Sequence, residues 1–80
     1  MNDDNPIGII ELGNKNFTCL IFKTNKDKKI EVLSTSITAS DGIYNDVVLN
    51  LKKASNAIRL AISTAEKKAK ITLKKINVVF

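Results

Sequence analysis

The sequence predicts a small α/β domain: a three-stranded antiparallel meander, one long crossover helix, and a fourth strand parallel to the first. Three observations predict it. Residues 7–39 hold three runs rich in apolar and β-branched residues, separated by short polar turns. Residues 51–69 place Ala and Ile at spacings of three and four. The chain then returns to an apolar run, 75–80. A helix leading back to a strand beside the first makes a right-handed crossover. The predicted strand order is third, second, first, fourth, with the helix on one face.

Residues 1–6 are polar and end in Pro6, which reads as a disordered start. Ile7–Leu12 is nearly continuously apolar, as in a strand covered on both faces. Gly13–Asn16 is a tight turn, where Asn is favoured because it tolerates positive φ and hydrogen-bonds nearby backbone. Phe17–Lys23 is the second strand and Thr24–Lys28 the next turn. Lys29–Ala39 is the third strand. By alternation Ile30, Val32, Ser34, Ser36 and Thr38 share one face, and Glu31, Leu33, Thr35 and Ile37 the other. Ser40–Asp46 reads as a loop and Val47–Leu49 as a short apolar link. Asn50 is placed to cap the helix. Leu51, Ala54, Ala57, Ile58, Ala61, Ile62, Ala65 and Ala69 form its apolar stripe. Lys67, Lys68 and Lys70 gather at its C-terminal end, where cations complement the dipole.

Composition excludes several functions. Eighty residues make one domain at most, and a chain this short buries only ~60% of its unfolded surface. The single cysteine, Cys19, lies in an apolar strand, so no internal disulfide forms and the thiol is expected to be a packed core group. With no histidine and one thiol, a zinc site is excluded. No apolar run approaches the ~20 residues that cross a bilayer. The first eight residues carry Asp3 and Asp4 and no basic residue, unlike a secretory or mitochondrial leader, so a cytoplasmic protein is expected. The net charge of +5 allows nucleic acid as a partner. However, the lysines are dispersed, and the three Phe and one Tyr are not interleaved with them as base stacking requires. A membrane-surface helix needs larger apolar residues than alanine. An apolar strand as a natural chain end would be an aggregation hazard, so the 80 residues are expected to be part of a longer polypeptide.

The first hairpin carries the functional signal. Ile10-Glu11-Leu12-Gly13-Asn14 ends a strand in an acid and opens a turn with glycine, an arrangement that presents backbone N–H groups and one carboxylate to a metal-bound phosphate. Further along come Ser40-Asp41-Gly42, then Asp46-Val47-Val48-Leu49-Asn50. The helix contains Ile58-Arg59-Leu60-Ala61 and Ala65-Glu66-Lys67-Lys68-Ala69, and the segment closes with Lys74-Lys75-Ile76-Asn77-Val78-Val79. This ordered set, over residues 7–80, resembles the N-terminal segment of the FtsA family of bacterial cell-division proteins. The architecture is similar to the opening of the actin-like (ribonuclease-H-like) ATPase fold. Three positions depart from the family pattern. Asn14 stands where Thr or Ser is usual. Asn16 stands where a lysine is expected, with Lys15 one place early. Lys70 replaces the glycine after the helix, so the helix is expected to end without a left-handed cap. The chain looks like a divergent member.

The resemblance implies that residues 7–80 are the truncated first subdomain of the ATPase domain, and that the first hairpin is one jaw of a nucleotide cleft. It implies that Gly13, Asn14, Lys15 and Asn16 bind the phosphates of ATP and that Glu11 holds Mg²⁺ through water, with no catalytic residue in this segment and slow or no hydrolysis. In the whole protein it implies actin-like filaments and tethering of the FtsZ ring. The anchorage would be to the cytoplasmic face of the inner membrane, through a C-terminal helix lying beyond these residues, with no nucleic acid involved. The pilus-assembly protein PilM and soluble phosphotransferases or ATPases of the same fold are the alternatives. A small basic nucleic-acid-binding module is a more remote one.

Overall fold

The computed structural model describes residues 5–80. The expected disordered start therefore falls largely outside the described residues; Asn5 and Pro6 precede the first strand without regular structure. The elements are β1 (Ile7–Leu12), β2 (Asn16–Thr24), β3 (Ile30–Ala39), β4 (Ile43–Tyr44), β5 (Val47–Val48), α1 (Leu51–Ala69) and β6 (Ile76–Val79). The main sheet has the order β3-β2-β1-β6. β1 is antiparallel to β2 and parallel to β6, with Ile10 opposite both Cys19 and Val78. This is the expected order, with the last strand parallel to the first as expected.

One side of this sheet packs on α1. Ile10 and Leu12 of β1 and Phe17, Cys19 and Ile21 of β2 are buried against Ala54, Ala57, Ala61 and Ala65. Alanine lets the helix approach closely, and β3 meets it with serines. The Ser36 hydroxyl, buried, donates to the Ala61 carbonyl at 2.6 Å, and Ser34 donates to the Ala65 carbonyl at 2.7 Å. Each hydroxyl thus finds a partner in an otherwise apolar layer, as burial requires. Contrary to the expectation for β1, only this face is fully covered. Ile7 and Ile9 on the other face are half-exposed.

Four further expectations are corrected. The β2–β3 register jumps between Ile21, opposite Ser34, and Phe22, opposite Val32, so a bulge skips Leu33. Leu33 therefore packs against the core, while Ile30 and Val32 are exposed, and the simple alternation along β3 breaks at this point. The predicted loop and link over residues 40–49 contain the β4–β5 hairpin. Its turn residues Asn45 and Asp46 both have positive φ, 50° and 63°, as a type I′ turn requires. Leu51 is 74% exposed, outside the apolar stripe.

The helix end supplies the fourth correction. Asn50 caps the start as predicted, accepting from Lys53 N at 2.9 Å. At the other end Lys70 adopts the left-handed conformation, φ 59° and ψ 39°, despite its β-carbon. Lys70 N donates to the Lys67 carbonyl and Ile71 N to the Glu66 carbonyl, the paired bonds of a Schellman motif. Leu73 N also donates to the Glu66 carboxylate at 2.7 Å. These bonds, with Ile71 and Leu73 packed on the core, turn the chain back whichever residue sits at 70.

Candidate phosphate-binding end of the sheet

The hairpin singled out in the sequence lies at the carboxyl end of β1, beside the end of β3. Gly13 N donates to the Asn16 carbonyl at 3.0 Å. A β-carbon at Gly13 would lie 2.8 Å from that oxygen, so the close approach requires glycine. Asn16 begins β2 and pairs with Ala39, the last residue of β3. The turn between them is exposed and tied to its surroundings by its carbonyls. Ser40 N donates to the Lys15 carbonyl at 3.0 Å, and the Ser40 hydroxyl donates to the Asn14 carbonyl.

Asn14 has a second structural contact. Its Oδ1 accepts from Asp46 N at 2.9 Å, which joins the β1–β2 turn to the turn of the small hairpin. The Asn14 side chain thus has a role within the fold: its oxygen reaches a backbone N–H exposed by a left-handed turn. Its Nδ2 has no acceptor among the described residues. The Gly13 N–H is spent inside the hairpin. The N–H groups of Asn14 and Lys15 have no partner among the described residues. The Lys15 ammonium belongs to the same exposed turn.

Glu11 is exposed, between Thr18 of β2 and Val79 of β6, on the sheet face away from α1. Among the described residues no group of three or more His, Cys, Asp or Glu is arranged to hold a metal ion. A lone carboxylate does not by itself form a cage for a metal ion. The five predicted residues Glu11, Gly13, Asn14, Lys15 and Asn16 therefore fall together at one sheet end, in three different states. Gly13 and Asn16 shape the turn, Asn14 and Lys15 offer donors, and Glu11 stands apart on the open face. Ser40 and Asp46 complete the assembly. The Ser40-Asp41-Gly42 run marks the first, but nothing in the sequence pairs either residue with Asn14.

Cys19 takes no part. It is fully buried under the helix, and burial pushes its thiol up from its ordinary value, with the Glu66 carboxylate adding to the effect. That is the packed core thiol the sequence led one to expect.

The geometry defines a class: a small α/β domain with a mixed four-stranded sheet and one crossover helix. Among solved structures, the diol dehydratase-reactivating factor in its nucleotide-free form, a protein of actin-like ATPase-type fold, superposes with a TM-score of 0.73 at 16% identity, over 92% of this chain and 12% of that one. This likeness shows the fold. In sequence the chain is similar to the cell division protein FtsA of Streptococcus pneumoniae serotype 2 (strain D39 / NCTC 7466), 29% identical over 69 residues, which are 86% of this chain and 15% of that protein. No family model matches the chain. The chain thus spans about a seventh of the length of the curated relative it matches. Among the described residues no helix is long and apolar enough to cross a membrane.

Proposed function

We propose that this chain is the first part of the nucleotide-binding domain of an FtsA-type cell-division protein. The observation that supports the reading is the sequence likeness to FtsA, carried by a chain whose strand order is that of an actin-like ATPase-type fold. On this reading the N–H groups of Asn14 and Lys15 bind the β- and γ-phosphate oxygens of ATP, with the Lys15 ammonium adding charge. Gly13 and Asn16 hold the turn in shape. Glu11 orients waters of the nucleotide-bound Mg²⁺. This reading assigns no residue of the chain to bond cleavage and takes hydrolysis by the whole protein to be slow or absent. The whole protein would assemble into actin-like filaments and tether the FtsZ ring to the cytoplasmic face of the inner membrane. Neither step is expected of these 80 residues alone. The structural likeness to the reactivating factor favours, as a second reading, a soluble ATP-binding protein of the same fold.

Glu11→Ala in the full-length product tests the site. Calorimetric titration with Mg²⁺-ATP should show at least about tenfold weaker binding, a loss of ~1.4 kcal/mol, with an unchanged circular dichroism spectrum. Equal affinity would return Glu11 to the role of a polar strand end. The 80-residue chain by itself should bind ATP more weakly than micromolar, because one jaw of a cleft supplies too few contacts; micromolar affinity would overturn that expectation. Co-sedimentation of the full-length product with FtsZ polymers on anionic vesicles separates the two readings. The division reading requires it, and its absence favours the soluble one.

A further inference from the structure

Asn14 and Lys15 are the two central residues of the turn that joins β1 to β2, closed by the bond from Gly13 N to the Asn16 carbonyl. Two-residue hairpin turns favour positive φ at the first or at both central residues, because that twist suits the flanking strands. Neither Asn14 nor Lys15 has positive φ, although Asn is a residue that tolerates it. The turn therefore holds a shape that the hairpin by itself does not favour, and contacts from outside the hairpin keep it there.

Ser40 supplies those contacts. Its hydroxyl donates to the Asn14 carbonyl, and its N–H donates to the Lys15 carbonyl at 3.0 Å. The two bonds have different origins. The N–H bond belongs to the strand ladder, since Asn16 pairs with Ala39 next to it, and any residue but proline would make it. The hydroxyl bond lies outside the ladder and depends on the side chain at position 40. It also has a directional consequence. The C=O and N–H of a trans peptide point in opposite directions, and no peptide bond among the described residues is cis. The Asn14 carbonyl, held toward Ser40, thus turns the Lys15 N–H away from Ser40, where it has no partner among the described residues. Ser40 is itself anchored. Two residues further on, the Gly42 carbonyl accepts from Leu49 N at 2.8 Å and from Asn50 N at 3.0 Å, which ties this loop to the start of α1.

We propose that Ser40 is a positioning residue for the phosphate turn: its hydroxyl, by holding the Asn14 carbonyl, aims the Lys15 N–H at a phosphate oxygen of the nucleotide. This rests on the ATP-binding reading of the turn and adds to it the residue that sets the direction of the donor. Ser40 touches no ligand and acts through the peptide between Asn14 and Lys15. Without the hydroxyl, no group among the described residues holds the Asn14 carbonyl, and the peptide rotates toward the shapes a two-residue hairpin favours.

Ser40→Ala removes the hydroxyl and Ser40→Thr keeps one. Residual dipolar couplings of the isotopically labelled 80-residue chain read the direction of the Lys15 N–H with no ligand present. Ser40→Ala should change that coupling and leave those of Ile10 and Cys19, within the sheet, as in the wild type. Ser40→Thr should keep the wild-type value at Lys15. In the full-length product, calorimetric titration with Mg²⁺-ATP should show at least about tenfold weaker binding for Ser40→Ala and affinity within about twofold of wild type for Ser40→Thr. A purely structural role would not be rescued by threonine while moving one N–H alone. Three results would overturn the proposal: a wild-type Lys15 coupling in Ser40→Ala, equal ATP affinity of Ser40→Ala and wild type, or a threonine variant as weak as the alanine variant. A wild-type product that binds no Mg²⁺-ATP would overturn the ATP-binding reading and the phosphate target with it, a failure distinct from those at Ser40.

Discussion

Lys70→Gly should make the protein more stable. Lys70 ends α1 at φ 59° and ψ 39°, where a β-carbon crowds the following carbonyl at a cost of ~1–2 kcal/mol. Glycine removes that cost. It also loosens the unfolded chain, which takes back about 0.4–1 kcal/mol, and it deletes a cation near the helix C-terminus, worth about 0.3 kcal/mol. With the first two terms at the centres of their ranges and the cation at its lower limit, as suits an exposed lysine, the net gain is about 0.5 kcal/mol, or roughly 2–4 °C in Tm for a domain of this size. Lys70→Ala isolates the backbone effect, because it deletes the cation but keeps the β-carbon. The glycine variant should exceed the alanine variant by about 0.8 kcal/mol. Urea melts followed by helical circular dichroism measure both, and an unchanged m-value confirms that the native and unfolded states are otherwise alike. An alanine variant as stable as the glycine variant, or more so, would refute a left-handed residue at this position.

Gly42 has φ 73°, and a β-carbon there would lie 2.6 Å from Ala54 N of the helix and closer still to the carbonyl of its N-cap, Asn50. Gly42→Ala should therefore cost at least about 2 kcal/mol in urea melts, strain and clash adding. Asn50→Ala removes the bond to Lys53 N and should cost about 1 kcal/mol by the same measurement. Cys19 supplies a pH test. Burial, with Glu66 adding, raises its pKa above the ordinary 9.0. The native state holds the thiol proton more tightly than the unfolded state, so this contribution is complete below pH 9.0 and is lost as pH rises through the raised native value. The stability advantage of the wild-type chain over Cys19→Ala should shrink across that alkaline window, and a constant difference would show that the thiol is not so shielded.

What the sequence reveals and what it hides divide along a physical line. The sheet order was legible because the hydrophobic period changes from two to three-and-a-half at Asn50 and back again at Ile76, and the connection rules then leave few topologies. Asn50 was legible because capping is a bond between residues three apart. The hairpin from Glu11 to Asn16 was legible for the same reason, since contiguous residues cannot avoid one another. The features that escaped depend on distant partners or on very short elements. The Leu33 bulge follows from how β3 fits β2 and α1 together, and its own alternation shows no break. The β4–β5 hairpin has two-residue strands, too short for a period, although Asn45-Asp46 between Tyr44 and Val47 carries the signal of a type I′ turn. Lys70 contradicts its own propensity because the bonds to Glu66 and Lys67 set the turn. The contact from Asn14 to Asp46 spans 32 residues. It gives the Asn14 side chain a structural role that needs no nucleotide. That leaves Lys15 and Glu11 as the side chains that test the nucleotide reading, since neither has a hydrogen-bond partner among the described residues. It is the reason Glu11→Ala, rather than a change at Asn14, is the informative substitution: loss of the Asn14 side chain would disturb two turns as well as any ligand, and its effect could not be assigned.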